Sequence, residues 1–320
     1  LARDTEAGTA ALEELSPHFR PRDTDGDPGG LVQLRPEVPT IVVPDIHARA
    51  DLVVSVLGFR SARHGIDVPL IDALAEGRAQ LVFVGDYVHA EARARERWRQ
   101  AFQEFQTGYS RRAAMDEEMA ESLGTLQTVA LLFAALPQGV IGLKGNHENI
   151  ANEDVEGNMP FGKFVYEGAM VAEYMKRFYA GRSFETVYRF EKSLPLLAVG
   201  SSFIVGHAEP ARFVGRDELI NGMGDSNVVS SLTWTANDEA ESGSVAQMLE
   251  HYLPHADSSA SVYLGGHRPV TGLFNTRAMG KYVQIHNPDL FVAAALSAGR
   301  PFDPARDVVE IPDNRSALNG

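Results

Sequence analysis

A net charge of −14 over 320 residues argues against a protein that tracks a nucleic-acid backbone, because that task needs a basic surface. With 44% hydrophobic and 22% charged residues, the chain can bury a sizeable core as one large domain or two small ones. It has no cysteine, which excludes disulfides and thiolate metal sites and leaves nitrogen and oxygen ligands for any metal.

The chain begins at Leu1 rather than a methionine, which implies a missing true N-terminus and leaves cytoplasmic and exported locations open. Residues 8–15 predict a short amphipathic helix, and a Pro, Asp and Gly-rich loop comes next at 21–30. Within that loop, Asp23-Thr24-Asp25-Gly26-Asp27 looks like the start of a calcium loop. An EF-hand, however, needs Gly where Pro28 stands and Glu where Leu34 stands, so the segment reads as a solvated linker. From residue 40, strand-sized apolar runs alternate with longer helical patterns, which predicts an α/β layered fold. The runs are Ile41–Val43, Leu81–Val84, Val140–Leu143, Ser202–Val205 and Ser261–Leu264. Between Glu91 and Leu136 the pattern predicts two helices. Trp98, Phe102 and Phe105 share one face of the first, and Met115, Met119, Leu123, Leu126 and Ala130 form a stripe on the second. Arg93, Arg95, Arg97 and Arg99 occupy the faces left over, the usual pattern of a solvated face. No stretch reaches the roughly 18 apolar residues of a membrane span.

The chemistry lies in the residues just after each apolar run. The first run ends in Pro44-Asp45-Ile46-His47, the second in Gly85-Asp86-Tyr87-Val88-His89, and the third in Gly145-Asn146-His147-Glu148. The fourth ends in Gly206-His207 and the fifth in Gly265-Gly266-His267. Five strands thus each deliver an Asp, Asn or His just past their carboxyl ends, the edge where open α/β sheets bind ligands. Carboxylate, imidazole and amide oxygen without thiolate suit Mn, Fe or Zn. A pair of such ions, about 3.5–4 Å apart, clamps a phosphoryl group and ionises a water. One carboxylate must lie between the ions, and Asp86 has candidate ligands both before and after it in the chain. Taken singly, each of these residues has a bland structural reading. Their ordered recurrence after five strands does not.

These segments resemble the calcineurin-like metallophosphoesterases, and within them the serine/threonine phosphoprotein phosphatase branch. Gly145-Asn146-His147-Glu148 is the most specific element, and the resemblance runs from about residue 40 to about residue 297. It implies that Asp45 and His47 hold a first metal, that Asp86 bridges, and that Asn146, His207 and His267 complete a second site. It also implies that His147 is the general acid, protonating the leaving alkoxide while a metal-bound hydroxide attacks phosphorus. Pro269 stands where many other branches place a second ligating histidine, a residue that the phosphoprotein phosphatase branch lacks too.

The departures are equally specific. Where the branch carries Asp-Arg, this chain has His89-Ala90. The Asp would orient the general acid, so His89 becomes its candidate partner, which requires one of the two rings to stay neutral. The Arg would grip phosphate, so with Ala90 another cation must serve. Arg93 and Arg97, four apart and so on one face of the following helix, are the favoured candidates, with Arg268 beside His267 as the rival and Lys144 and Arg49 as further ones. His18, His64, His251 and His255 have no motif around them, and His286 comes after a late strand with structural and cleft-lining roles equally open.

The sequence therefore predicts an α/β fold with a central two-sheet β-sandwich, flanking helices and a helical insert near 91–136. The metallophosphoesterase domain is expected over 40–300, after an N-terminal extension at 1–39 and before a C-terminal tail at 301–320. The expected function is a dinuclear phosphoesterase with two Mn, Fe or Zn ions that hydrolyses phosphate monoesters. The substrate is either a phosphoprotein, as for a protein serine/threonine phosphatase, or a small phosphorylated metabolite or dinucleoside polyphosphate. A non-catalytic metal-bound interaction module is the remaining alternative. Such a module has no need of a general acid like His147.

Overall fold

The computed structural model describes residues 1–257 and 260–313. Its elements run α1 (Ala2–Glu13), β1 (Leu31–Gln33), β2 (Thr40–Val43), α2 (Ala50–Leu57), α3 (Leu70–Ala75), β3 (Gln80–Phe83), α4 (Arg95–Gln106), α5 (Ala113–Ala135) and β4 (Val140–Gly142). They continue with α6 (Glu167–Phe178), α7 (Arg182–Ser193), β5 (Leu197–Val199), β6 (Phe203–Gly206), α8 (Arg216–Asn221), α9 (Ser226–Thr233), α10 (Ser244–Tyr252) and β7 (Val262–Gly265). The last are β8 (Asn275–Arg277), β9 (Tyr282–Gln284), β10 (Val292–Leu296), α11 (Pro304–Asp307) and β11 (Val308–Glu310). The five apolar runs of the sequence are β2, β3, β4, β6 and β7, each shifted by no more than a residue or so.

Two mixed sheets form the centre. One has the order β11-β10-β2-β3-β4 and the other β1-β5-β6-β7-β9-β8. Within the first, β2, β3 and β4 are parallel; within the second, β6, β7 and β9 are parallel. Alternate residues of each strand serve different cores, as the two-residue period of a strand requires. Val42, Val82 and Ile141 face Val205, Leu264 and Val283 between the sheets. Ile41, Leu81 and Val140 face the outer helices of the first sheet, while Ile204, Tyr263 and Tyr282 face those of the second. Strands buried on both faces have no solvent side to mark with polar residues, so they read as unbroken apolar runs.

The predicted insert is two helices, α4 and α5, and α5 belongs to the helical layer of the first core. Met115, Met119, Leu126 and Ala130 are buried there, together with Val129 and Phe133. A stripe that long, on a helix of 23 residues, has to be covered along its whole length, and α1, α4 and α2 pack against it. The first helix starts earlier than the sequence predicts and runs through Gly8. A side chain at Gly8 would press on the backbone of Ala130, so this glycine serves the close approach of α1 to α5 rather than ending the helix. The segments before residue 40 and after 300 each supply an edge strand: β1 pairs with β5, and β11 pairs with β10. Buried Arg20 ties the early loop down by donating to the carbonyls of Gly29, Leu12 and Ser193. Among the described residues, no helix is long and apolar enough to cross a membrane.

Candidate metal centre

The six parallel strands meet at their carboxyl ends. Asp45 follows β2, Asp86 follows β3, Asn146 follows β4, His207 follows β6, His267 follows β7 and His286 follows β9. To turn these side chains inward the backbone bends sharply. His47, Asp86, His89 and His267 all have positive φ, at 47°, 52°, 65° and 65°. Such conformations cost a non-glycine residue of order 1–3 kcal/mol and persist where the surroundings over-determine them, characteristically at functional sites. Gly266 is required here for a different reason: a Cβ at that position would overlap Asp45 Oδ2.

Hydrogen bonds on the far side of each ring fix where the lone pairs point. His47 Nδ1 donates to the His89 carbonyl at 3.0 Å, and His207 Nδ1 donates to the Val84 carbonyl at 3.0 Å. Both rings are therefore left with an unprotonated Nε2. These two Nε2 atoms each lie 3.6 Å from the same atom, Asp86 Oδ2. Asn146 Oδ1 stands 3.0 Å from His207 Nε2 and 2.9 Å from His267 Nδ1. Asp45 Oδ1 accepts from the His267 backbone N–H, while its Oδ2 and His267 Nε2 are buried without a partner. Donor atoms about 2.0–2.2 Å from one ion lie about 3–3.6 Å from one another, so these spacings suit cations between them. Asp86 belongs both to the group with His47 and His147 and to the group with His207 and His267. Burial, with Glu148 and Asp45 nearby, pushes the Asp86 carboxyl well above its ordinary range, the sign of a pocket short of positive charge. The donor set thus fits metal ions.

Next to this cluster, His147 is mostly buried, and its Nε2 is 4.0 Å from Asp86 Oδ2. Its Nδ1 is 3.2 Å from Nδ1 of His89, the pairing that the sequence raised. Burial, reinforced by His47, pulls His89 down to about 3, so His89 is neutral. Phe161 packs on both rings, with centroids 4.4 Å from His89 and 4.6 Å from His147. Glu148 holds the two loops of candidate ligands in register, accepting the backbone N–H groups of Asp86, Tyr87 and Gly145.

The candidate cations divide clearly. Arg97 does not reach the cluster, because Glu117, Glu118 and Glu121 hold its guanidinium. Arg93 is closer, donating to the carbonyls of His47 and Ala48 while pairing with Glu121. Arg49 is spent on backbone carbonyls, including those of Asp45, Ile46 and Asn287, and Lys144 on that of Glu148. Arg268 is exposed beside His267, and its side chain makes no hydrogen bond or ion pair among the described residues.

Three neighbours of the cluster escape a reading of the sequence. Glu91, two residues past His89, has Oε1 3.7 Å from His47 Nε2 and Oε2 2.9 Å from His286 Nε2. Lys163 pairs with Glu91 at 2.8 Å, and Phe161 comes from the same loop. Glu91 lies in the same loop as Asp86, and that position was the available signal. The loop from 151 to 166 has no periodicity to reveal where it returns.

The chain matches no protein-family model and no curated protein. Among solved structures it is similar to a protein serine/threonine phosphatase from Saccharomyces cerevisiae with similarity to human phosphatase PP5. The TM-score is 0.57 and the identity 14%, over 97% of this chain and 88% of that one. A cold-active protein tyrosine phosphatase and that of a psychrophilic Shewanella species align at TM-scores of 0.45, with identities of 10% and 11%. They cover 89% and 88% of this chain and 79% and 82% of theirs. The likeness to the yeast phosphatase, like the motif resemblance, places this chain in the two-sheet α/β fold of that phosphatase.

Proposed function

We propose that this chain is a metal-dependent phosphoesterase that hydrolyses phosphate monoesters. The observation that carries this reading is the convergence of the bare His47 and His207 nitrogens on Asp86 Oδ2, with the Asn146 amide oxygen 3.0 Å from His207 Nε2. Acceptors facing acceptors in a buried pocket are stable only with cations among them. Asp45, His47 and Asp86 would hold one ion, and Asp86, Asn146, His207 and His267 a second. Bound there, the ions would supply Lewis acidity and an ionised water at neutral pH.

The remaining steps belong to side chains of the chain itself. His147 is the general acid: its Nε2 faces the cluster, where it protonates the departing ester oxygen. His89 accepts the other ring proton of His147 and so fixes which nitrogen delivers. Arg268, free beside His267, grips the phosphoryl oxygens in place of the absent arginine at Ala90. Phosphoserine and phosphothreonine peptides are the first substrates to test, since the yeast protein of like fold is a protein serine/threonine phosphatase.

The test is metal analysis of the purified protein, followed by assay on an aryl phosphate, phosphopeptides, sugar phosphates and dinucleoside polyphosphates, with and without a chelator. Chelator-sensitive release of phosphate from monoesters supports the reading. A protein that takes up none of Mn, Fe or Zn and hydrolyses none of the panel refutes it.

A further inference from the structure

We infer that His286 is an additional ligand of the first metal, through Nδ1, and that Glu91 is the residue that positions it. His286 follows β9, the sixth strand of the convergent set, and is fully buried. Its Nε2 is 2.9 Å from Glu91 Oε2, and an ionised carboxylate can only accept, so Nε2 carries the proton. In the neutral ring, the form that binds a metal, Nδ1 is then the nitrogen left with a lone pair. Nδ1 lies 3.6 Å from Asp45 Oδ2, and both atoms are buried with no hydrogen-bond partner.

Two acceptors facing each other inside a protein repel and lack hydration, an unfavourable arrangement unless something lies between them. A proton does not bond them, since at 3.6 Å a protonated ring forms an ion pair but no hydrogen bond. A cation does. The separation is that of two donors on one ion, and Asp45, His47 and His286 together offer three such atoms within 4.8 Å of one another. The arrangement at His286 repeats that at His47 and His207: the outer ring nitrogen is bound to an acceptor and the inner one is left bare. A carboxylate behind a ligating histidine fixes the tautomer and raises the basicity of the ligand. Lys163, on the other oxygen of Glu91, holds that carboxylate in place from the rim of the site.

The inference rests on the metal-centre reading above, and the experiment separates the two. Metal-free protein is titrated with Zn(II) by calorimetry, for the wild type and for His286→Asn, Glu91→Gln and His207→Ala. Two ions per wild-type chain uphold the parent reading, and none refutes it together with this inference. Given two, His286→Asn should weaken one site far more than Glu91→Gln, which should cost about 10–100-fold at the same site. His207→Ala should remove the other site. Unchanged binding by His286→Asn overturns the inference while the parent reading stands.

A second measurement leaves His286 untouched, in case its substitution disturbs the fold. In the double variant His147→Asn, His207→Ala loaded with one equivalent of Zn(II), X-ray absorption should count two imidazoles, His47 and His286. A single imidazole overturns the assignment.

Discussion

His89 and His147 face each other through their Nδ1 atoms at 3.2 Å, so one ring donates and the other accepts. Neutral His89 is the acceptor, which makes it a weaker partner for a cationic His147 than a carboxylate would be. His147 itself is pushed well below the ordinary imidazole range by burial, with His47 and His89 adding to the effect. In its proposed role as general acid, His147 must be protonated, so activity should fall as pH rises through its pKa. Substituting His89→Asp places an anion beside the ring, which favours the imidazolium and raises that pKa. The falling limb of kcat against pH should therefore move upward by about one unit or more. A downward move, or none, in a folded and metal-loaded variant would remove His89 from this role.

The substitution His147→Asn should lower kcat by about 10²–10⁴-fold on alkyl phosphates. Metal content should be unchanged, because the general acid is not needed to hold the ions. The loss should shrink on aryl phosphates, whose leaving groups need little protonation. A variant that instead loses a metal would identify His147 as a ligand, which its grouping with His47 and Asp86 also allows.

For Asp86 the prediction concerns both sites at once. One oxygen, Oδ2, is 3.6 Å from His47 Nε2 and 3.6 Å from His207 Nε2. Asp86→Asn should therefore weaken both ions together and abolish nearly all turnover, with circular dichroism close to that of the wild type. Two ions retained with wild-type affinity would show that Asp86 does not bridge.

The arginines should separate by function. Arg268→Ala should raise KM and lower kcat/KM on a monoester while leaving thermal stability within about 0.5 kcal/mol, as for an exposed residue without partners. Arg97→Ala should do the reverse. It strips the ion-pair partner from Glu118, which is fully buried, and should destabilise the fold by about 3 kcal/mol. Paired denaturation and kinetic measurements on the two variants test this. Impaired catalysis in a stable Arg97→Ala protein would return the phosphate grip to the helix.

The information legible in the chain alone is local. An apolar run of strand length, a glycine (in the first run a proline) and then Asp, Asn or His can be read from neighbours in the chain, and five strands with six candidate ligands came from that pattern. The stripes that became α4 and α5 were legible for the same reason, since helical periodicity is a local property. Which charges face one another was settled by packing. The sequence placed Arg97 and Arg93 on one helical face, yet the glutamates that claim Arg97 come from α5, across a turn whose geometry no spacing rule fixes. Likewise, His286 looked equally suited to a structural place or the cleft rim. Only the parallel pairing of β9 with β7 carries it to the edge where Asp45 arrives from the other sheet. A strand's neighbours are chosen by the packing of whole layers, and for His286 that choice placed a bare ring nitrogen opposite a bare carboxylate oxygen.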